Sequence, residues 1–202
     1  NAPAAGKATA EEIKKVLLES GLWVALKQRP YGIVANPADE PRAIFVSAFD
    51  SAPLAPDYNF TLRDEAANLQ VAVDVLNKLT KGGVFVGVNG KNASASPFSK
   101  LNNVKLYGFS GPHPAGNVGV QINNIAPVNK GEVVWTIDPM FMVAVGKLFT
   151  KGIYDVTRTI AVAGNRVEKP CYVTCVPGTQ IKDLDFLVSK KEVEIFDQEC
   201  GC

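Results

Sequence analysis

The chain has 202 residues, of which 47% are hydrophobic and 20% are charged, enough to bury the core of one medium domain and part of a second. Lysine and arginine total 21 against 20 aspartates and glutamates, and no stretch gathers five like charges, which excludes the basic footprint of a nucleic-acid-binding protein. The longest apolar runs, residues 43–49 and 140–145, are far shorter than the roughly 20 residues that span a bilayer. We therefore expect a globular protein with no membrane span.

Helices and buried strands alternate along most of the chain. Thr9 and Glu12 form a capping box before apolar residues at helical spacing, which predicts a helix from residue 10 to about 26 that Arg29-Pro30 ends. Continuous apolar runs then predict buried strands over 43–49, 84–88, 104–109 and 133–137, with helices over 66–79, near 115–125 and over 139–150. Such βαβ units predict an α/β fold, with a Rossmann-like, mostly parallel sheet and helices on both faces.

The pattern changes near Thr157. Residues 159–164 and 171–175 are strand-like, and Thr179 is a candidate N-cap for a short helix through Leu187. The order strand, strand, helix, strand predicts the start of a small α+β domain. We therefore divide the chain into residues 1–156 and residues 157–202.

The four cysteines lie in the last sixth of the chain, at Cys171, Cys175, Cys200 and Cys202. Zinc and iron-sulfur sites favour pairs separated by two residues, whereas these spacings are C-x3-C and C-x-C. Reduced cytosolic thiols explain the pattern more simply. We predict no metal site and leave the role of the four thiols open.

A glycine-rich segment with a histidine between two prolines is the most distinctive chemical feature. Its glycines would bring a backbone close to a partner and open a helix, whose amide end favours anions. The full G-x-G-x-x-G fingerprint is absent, so nicotinamide binding has little support. The imidazole could transfer protons or simply bond to a turn, and the second interpretation is favoured, so no catalytic residue is predicted. The contact candidates here are Ser110, Gly111, His113, Pro114, Gly116 and Gly119.

Two further segments could form contacts. Asp50 and Ser51 follow a predicted parallel strand, where open α/β sheets bind ligands, although both residues are equally ordinary in turns. Apolar side chains between Phe141 and Phe149 could contact a quinone, but such a stripe more often forms core.

Six segments, in family order, resemble the A subunit of the Na+-translocating NADH:quinone oxidoreductases. They are LESGLW (18–23), RPY (29–31), AIFVSAFDSAPLA (43–55), GPHPAG (111–116), PVN (127–129) and GKLF (146–149). The resemblance reaches about residue 187, and residues 189–202 depart from it. It implies that 1–156 is the Rossmann-like central domain of such a protein and that 157–202 is part of a soluble-ligand-binding β-grasp domain.

The resemblance also implies a role in a membrane complex. Such complexes oxidise NADH, reduce a quinone and export Na+, using flavins and an iron-sulfur centre carried by other subunits. The resemblance places the A subunit peripherally, at the cytoplasmic face of the bacterial inner membrane, with the other subunits as partners. This fragment is then expected to bind no cofactor itself.

Two hypotheses follow from this resemblance. The favoured one is an assembly and docking module whose residues 110–119, with Asp50 and Ser51, contact quinone or the other subunits. The alternative is a flavin- or NADH-binding redox domain related to the flavin-site subunit of complex I. A shared fold alone does not decide between them.

Overall fold

The computed structural model describes residues 6–165, 167 and 169–180. The described chain divides into two compact units. The larger unit runs to Ala52 and continues over Asp57–Asp155, and the smaller contains Pro53–Pro56 and the residues from Val156 onward. Within the described residues, no helix has the length and apolar character needed to cross a membrane.

Six strands in the described part of the larger unit form one mixed sheet. They are β1 (Lys27–Arg29), β2 (Ile33–Val34), β3 (Ile44–Ala48), β4 (Val84–Asn89), β5 (Val104–Phe109) and β6 (Val134–Thr136). Their order across the sheet is β2-β1-β6-β3-β4-β5. Strands β3 to β6 are mutually parallel, β1 is antiparallel to β6, and β2 is antiparallel to β1. The predicted α/β class and mostly parallel sheet are confirmed.

The described helices are α1 (Ala10–Glu19), α2 (Tyr58–Thr61), α3 (Ala66–Asn77), α4 (Val118–Ile125) and α5 (Pro139–Lys151), with 3-10 turns over Leu22–Ala25, Ala93–Ala95 and Pro97–Lys100. The predicted capping box opens α1, where Thr9 Oγ accepts from the Glu12 amide and Glu12 accepts from the Thr9 amide. Asp138 caps α5, which has Pro139 at its first position and ends at left-handed Gly152.

Side chains alternate between two cores on the two faces of the sheet. On β3, Ile44 and Val46 belong to the larger core, which α1, α3 and α5 cover. Phe45 faces the other way and packs with Ile122 of α4 in a smaller core. Helices therefore cover both faces, as expected for a largely parallel sheet. The apolar side chains between Phe141 and Phe149 on α5 belong mainly to the core. The buried ones include Met142, Val145, Leu148 and Phe149.

Two predicted helix boundaries differ from the structure, and two strands were not predicted. The first helix ends at Glu19 instead of about residue 26, because Gly21 adopts a left-handed conformation (φ 79°) and a 3-10 turn follows. Strands β1 and β2 occupy the region where Arg29-Pro30 was expected only to end that helix. Helix α4 begins at Val118 instead of near residue 115, because residues 113–116 form a turn.

The smaller unit contains an antiparallel hairpin. Strands β7 (Arg158–Val162) and β8 (Cys171–Cys175) pair along their full length, from Arg158 opposite Cys175 to Val162 opposite Cys171. The helix predicted from Thr179 to Leu187 lies largely outside the described residues, as do Cys200 and Cys202. The β-grasp assignment of 157–202 stays a prediction.

Candidate functional site

A cleft of about 620 Å³ opens in the larger unit where the parallel strands end. Loops that follow β3 and β6 contribute to it, together with strand β1 and the turn before α4. Its apolar lining includes Val24, Phe49, Val118, Ile137 and Phe141. Its titratable lining includes Lys27, Arg29, Asp50, Tyr58, His113 and Asp138. The carboxyl edge of parallel strands is the usual ligand position in open α/β sheets.

Two loops far apart in sequence are joined at this cleft. Ser51 Oγ accepts a hydrogen bond from the Gly116 amide at 2.8 Å. Ser47 Oγ lies 2.7 Å from the Gly116 carbonyl oxygen and 3.0 Å from that of Phe49, as donor to both. The turn before α4 is therefore fixed to the end of β3 through both polar backbone groups of Gly116.

Close backbone packing requires a glycine at position 116. A Cβ atom at this position would collide with the Phe49 carbonyl oxygen and would lie 2.5 Å from the Ser51 amide nitrogen. The glycine is buried, so backbone meets backbone where a side chain would otherwise stand. The predicted close approach is thus made to the chain's own β3 loop.

His113 is exposed and borders the cleft. Its Nδ1 atom lies 3.2 Å from Ser51 Oγ. The sequence showed no partner for this histidine, because Ser51 stands 62 residues earlier. Asp50 does not orient the imidazole within the described contacts, since its Oδ1 atom accepts from the Ala52 amide at 2.9 Å. The arrangement is that of a hydrogen-bonded turn histidine.

The opposite wall is built at the start of α5. Asp138 Oδ1 accepts from the Met140 amide at 2.8 Å and thereby caps the helix. Its Oδ2 atom accepts from the Tyr58 hydroxyl at 3.3 Å, which joins α2 to α5. A carboxylate at this position stabilises the helix, because it accepts from a free amide and its charge interacts favourably with the helix dipole. The carboxylate of Asp138 is therefore engaged in structure on both of its oxygens.

Three predicted contact residues line the cleft, namely Asp50, His113 and Gly116. Ser51 is not part of the lining, but it contacts both His113 and Gly116. Ser110, Gly111 and Pro114 are exposed and do not line the cleft. Gly119 borders a smaller cavity of about 250 Å³ beside α4, and its amide donates to the Asn117 side chain at 2.9 Å. Whether any of the eight contacts a partner stays a prediction.

Sequence reasoning missed several residues of the cleft. Asp138-Pro139 is a helix-start signature directly after a predicted strand, so it could have placed Asp138 at the same edge as Asp50. Lys27 and Arg29 had no comparable signal, because a Lys-Gln-Arg strand lacks apolar alternation. Tyr58 could not be placed either, since the short helix α2 was not predicted.

The cysteine thiols do not assemble a metal site within the part of the chain that is described. No group of three or more His, Cys, Asp or Glu residues there is arranged to hold an ion. Cys171 and Cys175 stand at opposite ends of β8 as free thiols.

The fold and the position of the cleft define the class as a Rossmann-like α/β domain. Residues 8–154 match the family model described as the NqrA second alpha/beta domain. The chain belongs to that family, which confirms the family resemblance of the sequence.

Curated relatives agree with this assignment. The chain is 39% identical to the A subunit of the Na(+)-translocating NADH-quinone reductase of Serratia proteamaculans, over 86% of this chain and 38% of the relative. It is 40% identical to the corresponding protein of Saccharophagus degradans, over 83% of this chain and 37% of the relative. The Pseudomonas aeruginosa protein is 39% identical over 87% of this chain and 39% of its own length. The chain therefore spans about two fifths of the relatives' length.

The fold also occurs in a protein of very different sequence. A crystal structure of an NAD+-reducing [NiFe]-hydrogenase in the air-oxidised state superposes with a TM-score of 0.63 at 13% identity. That match covers 90% of this chain and 39% of the hydrogenase chain. At this identity the similarity concerns the fold alone.

Proposed function

We propose that this chain is an assembly and docking module within the NqrA protein of a Na+-translocating NADH:quinone oxidoreductase. Its partners are the other subunits of the complex, and its place is the cytoplasmic face of the bacterial inner membrane. The loop over residues 110–119 forms the contact surface, together with Asp50 and Ser51, and is also the candidate surface for quinone. Flavins and the iron-sulfur centre are assigned to the other subunits.

The observation that carries this proposal is a loop that is exposed and yet fixed. Pro112, His113 and Pro114 are exposed, while Gly116 two residues later is buried and held through both its amide and its carbonyl. Docking then has little loop entropy to remove, which favours association. A preorganised exposed turn is therefore suited to recognition.

The backbone amides of the same segment are less suited to a dinucleotide phosphate. A phosphate site at a helix start needs free amides. Here the Gly116 amide donates to Ser51 and the Gly119 amide donates to Asn117. The space beside Gly116 is filled by the Phe49 carbonyl. These contacts favour the docking module over the nucleotide-binding alternative.

The test uses the assembled complex, with an affinity tag on the full-length NqrA protein that contains this segment. Gly116→Trp removes the fixed loop, and Gly6→Trp is the matched control, because a Cβ atom at Gly6 meets nothing within 4 Å. His113→Glu changes the exposed surface and leaves the Gly116 contacts in place. We expect Gly116→Trp and His113→Glu to reduce both the other subunits recovered and the NADH:quinone rate.

Normal assembly and normal quinone reduction in both loop variants would exclude the loop as a contact surface. The redox alternative gives a different signature, since a flavin would copurify with the chain and NADH would bleach its visible absorption. That result would replace the docking module with a redox domain.

A further inference from the structure

Strand β1 presents two cations to the cleft. Lys27 and Arg29 lie two residues apart, so their side chains share one face of the sheet. Both line the cleft, and Arg29 also borders the smaller cavity beside α4. Gln28 between them turns to the other face, where it is buried and donates to Asp39 at 2.9 Å. The two cationic residues therefore border the same cleft.

Neither cation is neutralised by the described residues. Lys27 and Arg29 have no ion pair and no side-chain hydrogen bond there, and the Arg29 Nε atom is buried without an acceptor. The Nε atom of Arg42 is likewise buried without a hydrogen-bond acceptor, but the Arg42 charge is compensated, because another nitrogen of its guanidinium donates to the Ala126 carbonyl at 2.8 Å and its Nε lies 3.6 Å from Glu132. A buried N–H group without an acceptor is unfavourable, so an incoming anion would be stabilised at Arg29.

The carboxylates of the cleft do not supply that acceptor. Asp138 is engaged by Tyr58 and by the Met140 amide. Asp50 accepts from the Ala52 amide. Neither forms an ion pair with Lys27 or Arg29 among the described contacts. The charged hydrogen-bond donors left open toward the cleft thus belong to the two cations.

The remaining lining defines what else a ligand must have. Phe49, Val118, Ile137 and Phe141 give the cleft apolar walls, and a volume of about 620 Å³ suits a small organic molecule. We propose that the cleft binds a small organic anion, with a flat apolar group between these walls and a phosphate or carboxylate on Arg29 and Lys27. The site is additional to the proposed docking function and does not depend on it.

The experiment is calorimetric titration of the 202-residue chain with three probes that share one ring system. They are 1-naphthyl phosphate, 1-naphthoate and the uncharged 1-naphthol. We expect saturable binding of at least one anion, about tenfold tighter than that of 1-naphthol, and weakened by added salt. The preferred anion then distinguishes a phosphate ligand from a carboxylate ligand.

Three variants assign the binding to the cations. Arg29→Met should weaken the preferred anion about tenfold and leave 1-naphthol unchanged. Lys27→Met should act in the same direction, and its exposed position keeps the fold intact if Arg29→Met does not fold. Lys91→Met, at an exposed lysine outside the cleft, is the control. Absence of anion binding, equal affinity for 1-naphthol, or unchanged affinity in Lys27→Met would overturn the proposal.

Discussion

Ser51 Oγ lies 3.2 Å from His113 Nδ1, and this contact joins two loops 62 residues apart. The same hydroxyl oxygen accepts from the Gly116 amide at 2.8 Å. Its own proton is then available to Nδ1 of a neutral imidazole. Together with Ser47, which donates to the Gly116 carbonyl at 2.7 Å, this small side chain connects the end of β3 to the turn before α4.

Ser51→Ala should destabilise the protein, because the amide of the buried Gly116 would lose its hydrogen-bond acceptor. We expect the free energy of unfolding to fall by about 1–2 kcal/mol, the usual cost of such a loss, as measured by urea denaturation. Ser110→Ala is the control, because Ser110 is exposed, and it should change stability by less than about 0.5 kcal/mol. Equal effects of the two variants would show that the Ser51 contact has no special weight.

Gly116→Ala tests the close backbone contact itself. The added methyl group would meet the Phe49 carbonyl and the Ser51 amide, so the loop must move. Overpacking of this kind costs about 1–3 kcal/mol, measurable as a lower melting temperature. Gly6→Ala makes the same chemical change in open space and should leave the melting temperature nearly unchanged. A stable Gly116→Ala protein would mean that the approach is looser than described.

Gly146→Ala tests how closely α3 and α5 pack. Alanine normally favours a helix over glycine by about 1 kcal/mol, but a Cβ atom at Gly146 would collide with the Asn68 carbonyl and lie 2.8 Å from its Cα. We expect the collision to dominate, with a net loss of about 1–2 kcal/mol in chemical denaturation. A gain in stability would show that the helices separate easily.

Lys147→Met should destabilise the protein in a pH-dependent way. Lys147 Nζ lies 3.3 Å from Glu65 and 2.9 Å from Asp155. Burial alone would lower the pKa of Lys147, but hydrogen bonds and charge attraction from these two carboxylates outweigh it and raise the pKa. A raised folded-state pKa stabilises the fold fully below the unfolded value of 10.5 and loses that effect as pH rises through the folded-state value.

The variant should therefore lose about 1–3 kcal/mol of unfolding free energy at neutral pH, with a smaller deficit in denaturation at pH about 11. Lys15→Met removes an exposed pair with Glu19 at 3.9 Å and should have little effect at either pH. A deficit for Lys147→Met that grows with pH would contradict this explanation.

Much of the sheet could be predicted because its central strands carry uninterrupted apolar runs. Strand β5 was predicted with its observed bounds over 104–109, and β3 and β4 to within a residue at each end. Strand β1 was not predicted, because its Lys-Gln-Arg sequence has no strand pattern and becomes a strand through pairing with β6 and β2. Tertiary pairing decided that segment, and local pattern could not show it.

Part of the candidate site could be predicted because it follows a strand that its apolar run identified. Asp50 and Ser51 were placed at a ligand-binding edge because they follow a buried strand, whereas His113 was singled out because it lies between two prolines. Their mutual contact could not be predicted, because it depends on how the loop before α4 crosses back over β3. Gly116 was expected to allow a close approach, but the partner proved to be the Phe49 backbone.

The most direct test of docking through this loop is site-specific crosslinking in the assembled complex. His113, which is exposed, would be replaced by the photoreactive residue benzoylphenylalanine in the full-length NqrA protein, with Lys15 on α1 replaced in a parallel control. Docking predicts an irradiation-dependent crosslink from position 113 to one of the other subunits, well above the yield from position 15. A yield at position 113 no higher than the control would contradict docking through this loop.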